Sequence, residues 1–309
     1  MKDFDGPMKL SQLRMFVAVA DSGSFSAAAA LLGCTQSRIS HALAELEGEL
    51  GTALLLRGRT GSAPTEAGKQ ALATARQMLR LEADLLASMR GASGMRGTVR
   101  IACFRSVGTH LLPHAVEALA RAHPGLHVDI DDSCEERGDV GAALRAGRAE
   151  IGIAQLPLEG GLEARPYLFD DYVMVVPAAL PVDSRQGWPE LGALPFIQLG
   201  CSGAAAILAR CRDAGFTAQA ARTLANDTSI AAMVGRGMGY SILPRLSIFP
   251  EPGDVKVLPL PIPARRQFAI AALPEVMRQA AVRAVVRTLR DRTVAARTQA
   301  GQAGIVNWE

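Results

Sequence analysis

The first part of the chain alternates short amphipathic runs with small-residue breaks. Leu10, Leu13, Phe16, Val17 and Ala20 recur at helical spacing and predict one helix. Asp21-Ser22-Gly23 breaks it, Ser24 suits an N-cap, and Phe25 to Leu32 makes a short second helix. Gly33 fits the left-handed position that ends a helix. Thr35 is the next N-cap, and a third helix runs from Gln36 to Leu50, closed by Gly51. In it Ile39, Leu43, Leu46 and Leu50 are spaced four, three and four apart, which makes one apolar stripe. An apolar strand, Thr52 to Leu56, leads into a loop through Arg57, Arg59 and Pro64. Residues 66–92 read as one long helix. Leu72, Leu79 and Leu86 repeat every seven residues, with Ala71, Met78 and Leu85 beside them and Glu82 interrupting. Gly91-Ala92-Ser93-Gly94 marks a hinge.

From Gly97 the period changes. Strands at 99–104, 126–130 and 151–154 alternate with helices at 111–122 and 140–146. Further apolar strand-like runs lie at 172–176, 196–199, 240–244 and 268–273, with helices at 204–214, 229–236 and 274–293. The alternation predicts an α/β domain with a parallel sheet. The segment Gln299 to Glu309 reads as loosely ordered.

The turn between the second and third helices is short and contains glycine, the helix-turn-helix pattern. The solvent face at the start of the third helix carries Gln36, Ser37, Arg38 and His41, with no acid until Glu45. Gln can read adenine, Arg guanine, and Ser a base or a phosphate. Ser26, Thr35 and Ser40 border this edge and join the candidate DNA-binding set. An ordinary three-helix bundle with a solvated polar face fits the helices equally well. The following strand and loop favour DNA, because they suit a wing whose Arg57 and Arg59 meet phosphates or the minor groove.

Composition narrows the classes. At 309 residues the chain has room for about two domains. Apolar residues make up 49% and charged residues 20%, enough for packed cores. The net charge of +3 is weak evidence for a nucleic-acid partner by itself. No apolar run approaches the roughly 18 residues of a membrane helix, and the polar start points to the cytoplasm. The five cysteines are odd in number and scattered, which suits free thiols.

Over about 60 residues the N-terminal part resembles the LysR-type transcriptional regulators. The shared residues are Leu10-x-x-Leu13-x-x-Phe16, Gly23-Ser24-Phe25-Ser26-x-Ala28-Ala29, Leu31, Gln36-Ser37-x-Ile39-Ser40, Leu43-x-x-Leu46-Glu47-x-x-Leu50-Gly51, Leu54-Leu55-x-Arg57 and Thr65-x-Ala67-Gly68. It departs at Leu55, where the family has Phe, at His41, and at Pro64, where a Leu is usual. Looser matches continue in Arg96-Gly97-x-Val99-Arg100-Ile101, Leu111-Leu112-Pro113, Leu144-x-x-Gly147-x-x-Glu150-Ile151-Gly152-Ile153 and Val234-Gly235-x-Gly237-x-Gly239-Tyr240-x-Ile242-Leu243-Pro244.

The resemblance implies an α + α/β protein with three parts. A winged helix-turn-helix (8–65) precedes a long linker and dimerisation helix with a hinge (66–94). A two-lobed, periplasmic-binding-protein-like effector domain (97–295) follows, with a tail at 296–309. Lobe I would be 97–161 plus 267–295, and lobe II 162–266. The partners implied are double-stranded DNA, a small-molecule effector and further copies of the chain, as a homodimer or homotetramer. The effector belongs at the C-terminal ends of the strands. Three loops there supply candidates: Arg105 and Ser106, Cys201 and Ser202, and Thr228. Ser202 and Thr228 also suit N-caps.

An oxidant is the alternative effector. Cys201 and Cys211 stand at a spacing within one residue of the family's peroxide-sensing branch, though Gly200, not a His, precedes Cys201. A continuous helix would hold the thiols roughly 15 Å apart, beyond disulfide reach without local unfolding. His110 and His114 lack further ligands for a metal. No cofactor fingerprint and no nucleophile–base–acid set is recognisable, so the expectation is a regulator without cofactor or catalysis. A solute-binding protein or an enzyme on the same α/β fold is the competing class.

Overall fold

The computed structural model describes residues 8–58, 61–89, 95–182, 188 and 191–308. Arg59 and the hinge 91–94 lie outside the described residues. The chain forms two compact units, Met1–Gly97 with Arg145–Arg148, and Thr98–Leu144 with Ala149–Glu309.

The first unit begins with three helices, α1 (Leu10–Ser22), α2 (Phe25–Leu32) and α3 (Gln36–Leu50). Ser24 caps α2 by accepting from the Ala27 N–H, and Thr35 caps α3 by accepting from the Arg38 N–H. Gly33 sits at φ 61°, where a side chain would be strained, and so closes α2 in one residue. Phe16, Val19, Ala28, Ile39, Leu43 and Leu46 form the core these helices share. Leu50 departs from its predicted stripe: it is exposed, because the last turn of α3 runs past the core. The wing is a two-stranded antiparallel sheet, β1 (Leu55–Gly58) with β2 (Gly61–Pro64), starting later than the apolar run suggested. Three bonds hold its base. Glu47 Oε1 accepts from the N–H groups of Leu54 and Leu55, and Ser62 N–H donates to Gly23 O.

The long helix α4 (Glu66–Met89) divides its heptad stripe between two uses. Leu72 and Ala75 are buried in the three-helix core, with Ala71, Met78 and Leu79 packed against it. The stripe therefore buries partly within its own chain, whereas the sequence alone suggested that it needs a second copy throughout. Beyond that point Leu81, Leu85 and Leu86 are exposed. Glu82, the interruption, pairs with Arg14 on α1 at 2.8 Å.

The second unit opens with β3 (Arg96–Phe104), α5 (Arg105–His110), α6 (Leu112–Ala122), β4 (Gly125–Cys134), α7 (Arg137–Arg145) and β5 (Ile151–Gln155). The 15-residue strand β6 (Glu163–Pro177) follows. Then come β7 (Phe196–Leu199), α8 (Ser202–Asp213), β8 (Ala220–Leu224), α9 (Asp227–Gly235), β9 (Ser241–Pro244), a 3-10 turn (Arg245–Ile248) and β10 (Val255–Pro259). The strand β11 (Arg265–Ala272) returns, and α10 (Pro274–Met277), α11 (Ala280–Leu289), α12 (Arg292–Ala295), α13 (Gln299–Gln302) and β12 (Asn307–Trp308) close the chain.

The main sheet runs β10-β6-β11-β5-β3-β4. β3 and β5 are parallel, as alternation predicts, and so are β7 and β8. β9, β10, β11 and β12 pair antiparallel, so the sheet is mixed and not wholly parallel. The cause is β6. Its first part pairs with β11 beside β5, and its second part pairs with β9 and β10, so one strand serves both lobes. Pro166 and the pair Asp170-Asp171 break its apolar alternation, which hid that first part in the sequence.

The C-terminal region differs from expectation twice. The predicted helix 274–293 is broken into α10, α11 and α12, with Asp291 capping the last by accepting from Thr293 N–H. The tail is packed, not loose. Thr298 and Ala300 are fully buried, Asn307 and Trp308 pair with Phe169 and Leu168 of β6, and the Trp308 ring meets Tyr167 edge-on at 5.7 Å. Its weak periodicity concealed that it covers a strand edge.

Candidate nucleic-acid interface and effector cleft

The first turn of α3 presents Gln36, Ser37, Arg38 and His41, all exposed, with Ser40 half-buried behind them. Their positions are tied down locally. Ser26 Oγ donates to Gln36 Oε1 at 3.1 Å, linking α2 to the reading edge. Thr35 Oγ1 and Ser37 Oγ lie 3.1 Å apart. Arg57 reaches in from the wing. Its guanidinium lies 4.2 Å from the Phe25 ring centroid and donates to Ser40 Oγ at 3.5 Å. The structure thus brings Ser26, Thr35, Gln36, Ser37, Arg38, Ser40, His41 and Arg57 onto one side of the unit. Glu45 has a role that spacing did not reveal. It pairs with His41 Nδ1 at 3.2 Å and accepts from Gln12 Nε2 at 3.1 Å. No acid lies between Asp21 and Glu45 in the sequence, so Glu45 is the acid that borders this side, and it is engaged by His41 and Gln12.

The second unit holds a cleft at the C-terminal ends of β3, β4 and β5. An inner chamber of about 60 Å³ is lined by Arg105, Ser106, Cys134, Gln155, Cys201 and Arg266, among others. An outer chamber of about 480 Å³ is lined by Thr109, His110, Thr228, Ala231, Ile248, Phe249 and Pro250. The two share Arg105, Ser106, Asp227 and Ser247. Of the sequence candidates, Arg105, Ser106 and Cys201 reach the inner chamber and Thr228 the outer. Ser202 lines neither, but Gly203 beside it does. A Cβ at Gly203 would stand 2.7 Å from Gln155 Oε1, so a side chain there would displace the Gln155 amide.

Three expectations change here. Residues 105–108 are not a loop, because β3 turns directly into α5 at Arg105. Ser202 and Thr228 are not N-caps. Cys201 holds that position for α8 with no side-chain bond, and Asn226 caps α9 by accepting from Ser229 N–H. The first turn of α8 is already engaged. Ser202 N–H donates to Glu136 Oε2 at 2.8 Å, and Ser202 Oγ accepts from Arg137 N–H at 3.3 Å.

Arg266 and Asp170 were not found from sequence. They face each other across β11 and β6 and form a buried bidentate pair at 2.7 and 2.9 Å. Asp170 also accepts from Leu246 N–H at 2.9 Å. Burial disfavours the Arg266 charge, but Asp170 outweighs that and holds its pKa above the ordinary value. The only sequence signal was two charged pairs, Asp170-Asp171 and Arg265-Arg266, inside apolar segments.

Comparison with known proteins decides the family. The LysR substrate binding domain family matches residues 92–294, and the lysR family of bacterial regulatory helix-turn-helix proteins matches residues 10–69. The chain belongs to the LysR family. It is therefore a transcriptional regulator with a DNA-binding and an effector-binding domain, and regulators of this family are oligomeric. This LysR-type regulator is 35% identical over 286 residues to the probable HTH-type transcriptional regulator LrrA of Synechococcus elongatus, covering 92% of this chain and 97% of that one. It is 31% identical over 252 residues to a probable hydrogen peroxide-inducible genes activator of Mycobacterium leprae, covering 79% and 80%. A solved full-length OxyR variant from Pseudomonas aeruginosa shares the fold with a TM-score of 0.67 at 23% identity, covering 93% of this chain and 99% of that one. Among the described residues of this LysR-type regulator, no helix is long and apolar enough to cross a membrane.

The thiols of this LysR-type regulator differ in setting: Cys103, Cys134 and Cys211 are buried, whereas Cys34 and Cys201 are half-buried. α8 is continuous from Ser202 to Asp213, so Cys201 and Cys211 stand at opposite ends of it, roughly 15 Å apart along its axis. Cys211 is fully buried in the lobe II core, and burial pushes its thiol up to about 11. Burial also raises the Cys201 thiol, more than the helix N–H groups lower it.

Proposed function

We propose that α3 reads operator DNA through Gln36, Ser37 and Arg38, while Arg57 and Arg59 of the wing contact the backbone. Ser26, Thr35, Ser40 and His41 complete the interface. One observation carries this reading: exposed hydrogen bonders and an arginine crowd the N-terminus of a helix-turn-helix recognition helix, and the nearest acid, Glu45, is engaged by His41 and Gln12. The exposed Leu81 and Leu86 of α4 supply an apolar surface for a second copy, giving a homodimer or a homotetramer built from it.

The cleft takes a small-molecule effector. Its inner chamber is too small for more than a head group, and the outer chamber is in the range of organic ligands. Arg105, Ser106, Cys201, Ser202 and Thr228 lie in or beside it. Arg266, which sequence did not suggest, joins them. The effector acts by binding one arrangement of the oligomer better than another.

The competing reading makes Cys201 or Cys211 an oxidant sensor, in line with the Mycobacterium leprae relative, a probable hydrogen peroxide-inducible genes activator. Raised thiols separated by a whole helix, Cys211 fully buried and Cys201 half-buried, oppose it. The test is a titration of the reduced protein against its own upstream DNA, repeated with peroxide and with candidate small ligands. Specific binding that responds to a ligand and ignores peroxide supports the proposal. Binding that shifts with peroxide, and no longer does in Cys201→Ser, overturns it in favour of the sensor.

A further inference from the structure

Lobe I carries a concentrated positive face that the operator-reading and effector-binding roles do not use. Residues 278–297 contain six arginines, one aspartate and no lysine, a net of +5. The whole chain is +3, so all its other residues together sum to −2. On α11 the buried side is Val282, Val285, Val286 and Leu289. Arg283, Arg287 and Arg290 follow one another at spacings of four and three, which sets them on one helix face, and all three are exposed. Among the described residues none of these guanidiniums has a hydrogen-bond or ion-pair partner. The nearby acid, Asp291, is engaged by Thr293 N–H and Oγ at 2.8 and 2.7 Å.

A merely solvated helix face interleaves both signs. A single-sign face of unpaired charges attracts a polyanion. We propose that this arginine face is a second, sequence-independent DNA contact, which takes the phosphate backbone of duplex flanking the operator. Two features select DNA backbone as the occupant. Guanidinium forks match phosphate oxygens bidentately, where lysines act as point charges. The step from Arg283 to Arg290 spans about 10.5 Å along the helix direction, close to the rise of three base pairs. This inference rests on the reading of α3 as the operator-binding helix.

The test uses the full-length protein and two duplexes, the bare operator and the operator extended on both sides by unrelated sequence. Affinity is measured over a salt series for wild type, for R283Q/R287Q/R290Q and for R283K/R287K/R290K. Three phosphate contacts steepen the log–log salt slope by about 2.7. On the extended duplex the wild type should therefore lose more affinity than the Gln variant across a fourfold rise in salt, by about 40-fold for each protomer whose arginines engage. The Lys variant should recover most of that slope, and on the bare operator all three proteins should coincide. Equal slopes for wild type and the Gln variant on the extended duplex overturn the inference while leaving the operator reading intact. So does a Lys variant no better than Gln. If wild type fails to bind the bare operator, the α3 reading fails and this inference with it.

Discussion

Ser202 N–H donates to Glu136 Oε2 at 2.8 Å, and this contact joins lobe II to lobe I. Glu136 follows β4, and its backbone is fixed by Asp139, whose Oδ2 accepts from the N–H groups of Glu135 and Glu136. Arg137 N–H returns a bond to Ser202 Oγ at 3.3 Å, so the clasp is reciprocal. A carboxylate at a helix N-terminus is favoured by both the free N–H groups and the helix dipole. Glu136 thus occupies the place at the N-terminus of α8 that an anionic ligand would seek.

Glu136→Ala should release the clasp. A bond to a charged acceptor contributes about 1.5–3 kcal/mol, so amide exchange at Ser202 should quicken roughly 10- to 100-fold. Exchange at Ile230, inside α9, should not change. Equal protection of Ser202 in both proteins would show that the clasp contributes nothing.

Two arginines of the DNA face should fail differently. Arg38→Ala removes a candidate base contact from the first turn of α3. It should abolish discrimination between operator and random DNA while oligomeric state and thermal unfolding stay as in wild type. Arg57 stacks on Phe25 and approaches Ser40. Arg57→Ala should weaken binding to every sequence and lower the salt slope by about 0.9. If Arg57→Ala changed sequence preference and left the slope alone, the wing would be reading bases.

The Arg266–Asp170 pair should dominate the response of the effector domain to single substitutions. Asp170→Asn leaves a buried guanidinium without its counter-charge and weakens the acceptor for Leu246 N–H. Removing one partner of such a pair costs about 3–5 kcal/mol. Urea unfolding followed in the effector domain should show a matching fall in midpoint at constant slope. A loss under 1 kcal/mol would mean that water reaches the pair and solvates it.

Cys103, Cys201 and Cys211 should be unreactive at neutral pH. Burial pushes Cys103 up to about 12 and Cys211 to about 11, and raises Cys201 as well. A raised thiol pKa keeps the protonated form at pH 7 and yields thiolate only as pH climbs past the ordinary thiol value. Alkylation of Cys201 in the native protein should be slow at pH 7 and accelerate only under alkaline conditions. Labelling at pH 7 as fast as that of an unfolded control would contradict this and revive the oxidant reading.

The sequence by itself determined the local elements of the first unit. Ser24, Gly33, Thr35 and Gly51 act within a turn of their own positions, so α2, α3 and the exposed polar first turn of α3 were legible from spacing alone. The family was legible too, because its densest motif coincides with that helix-turn-helix. Tertiary structure decided what depends on distant partners. Leu72 packs into the three-helix core while Leu86 stays exposed, although both occupy the same heptad position. β6 serves two lobes because β9, β10 and β11, brought to it from far along the chain, pair with its two halves. The tail acquires order only from the free edge of that strand. Glu136 and Ser202 are 66 residues apart, and Asp170 and Arg266 are 96 apart. Periodicity and capping report on neighbours within a few residues, whereas these contacts exist only once two lobes and two strands have been folded side by side.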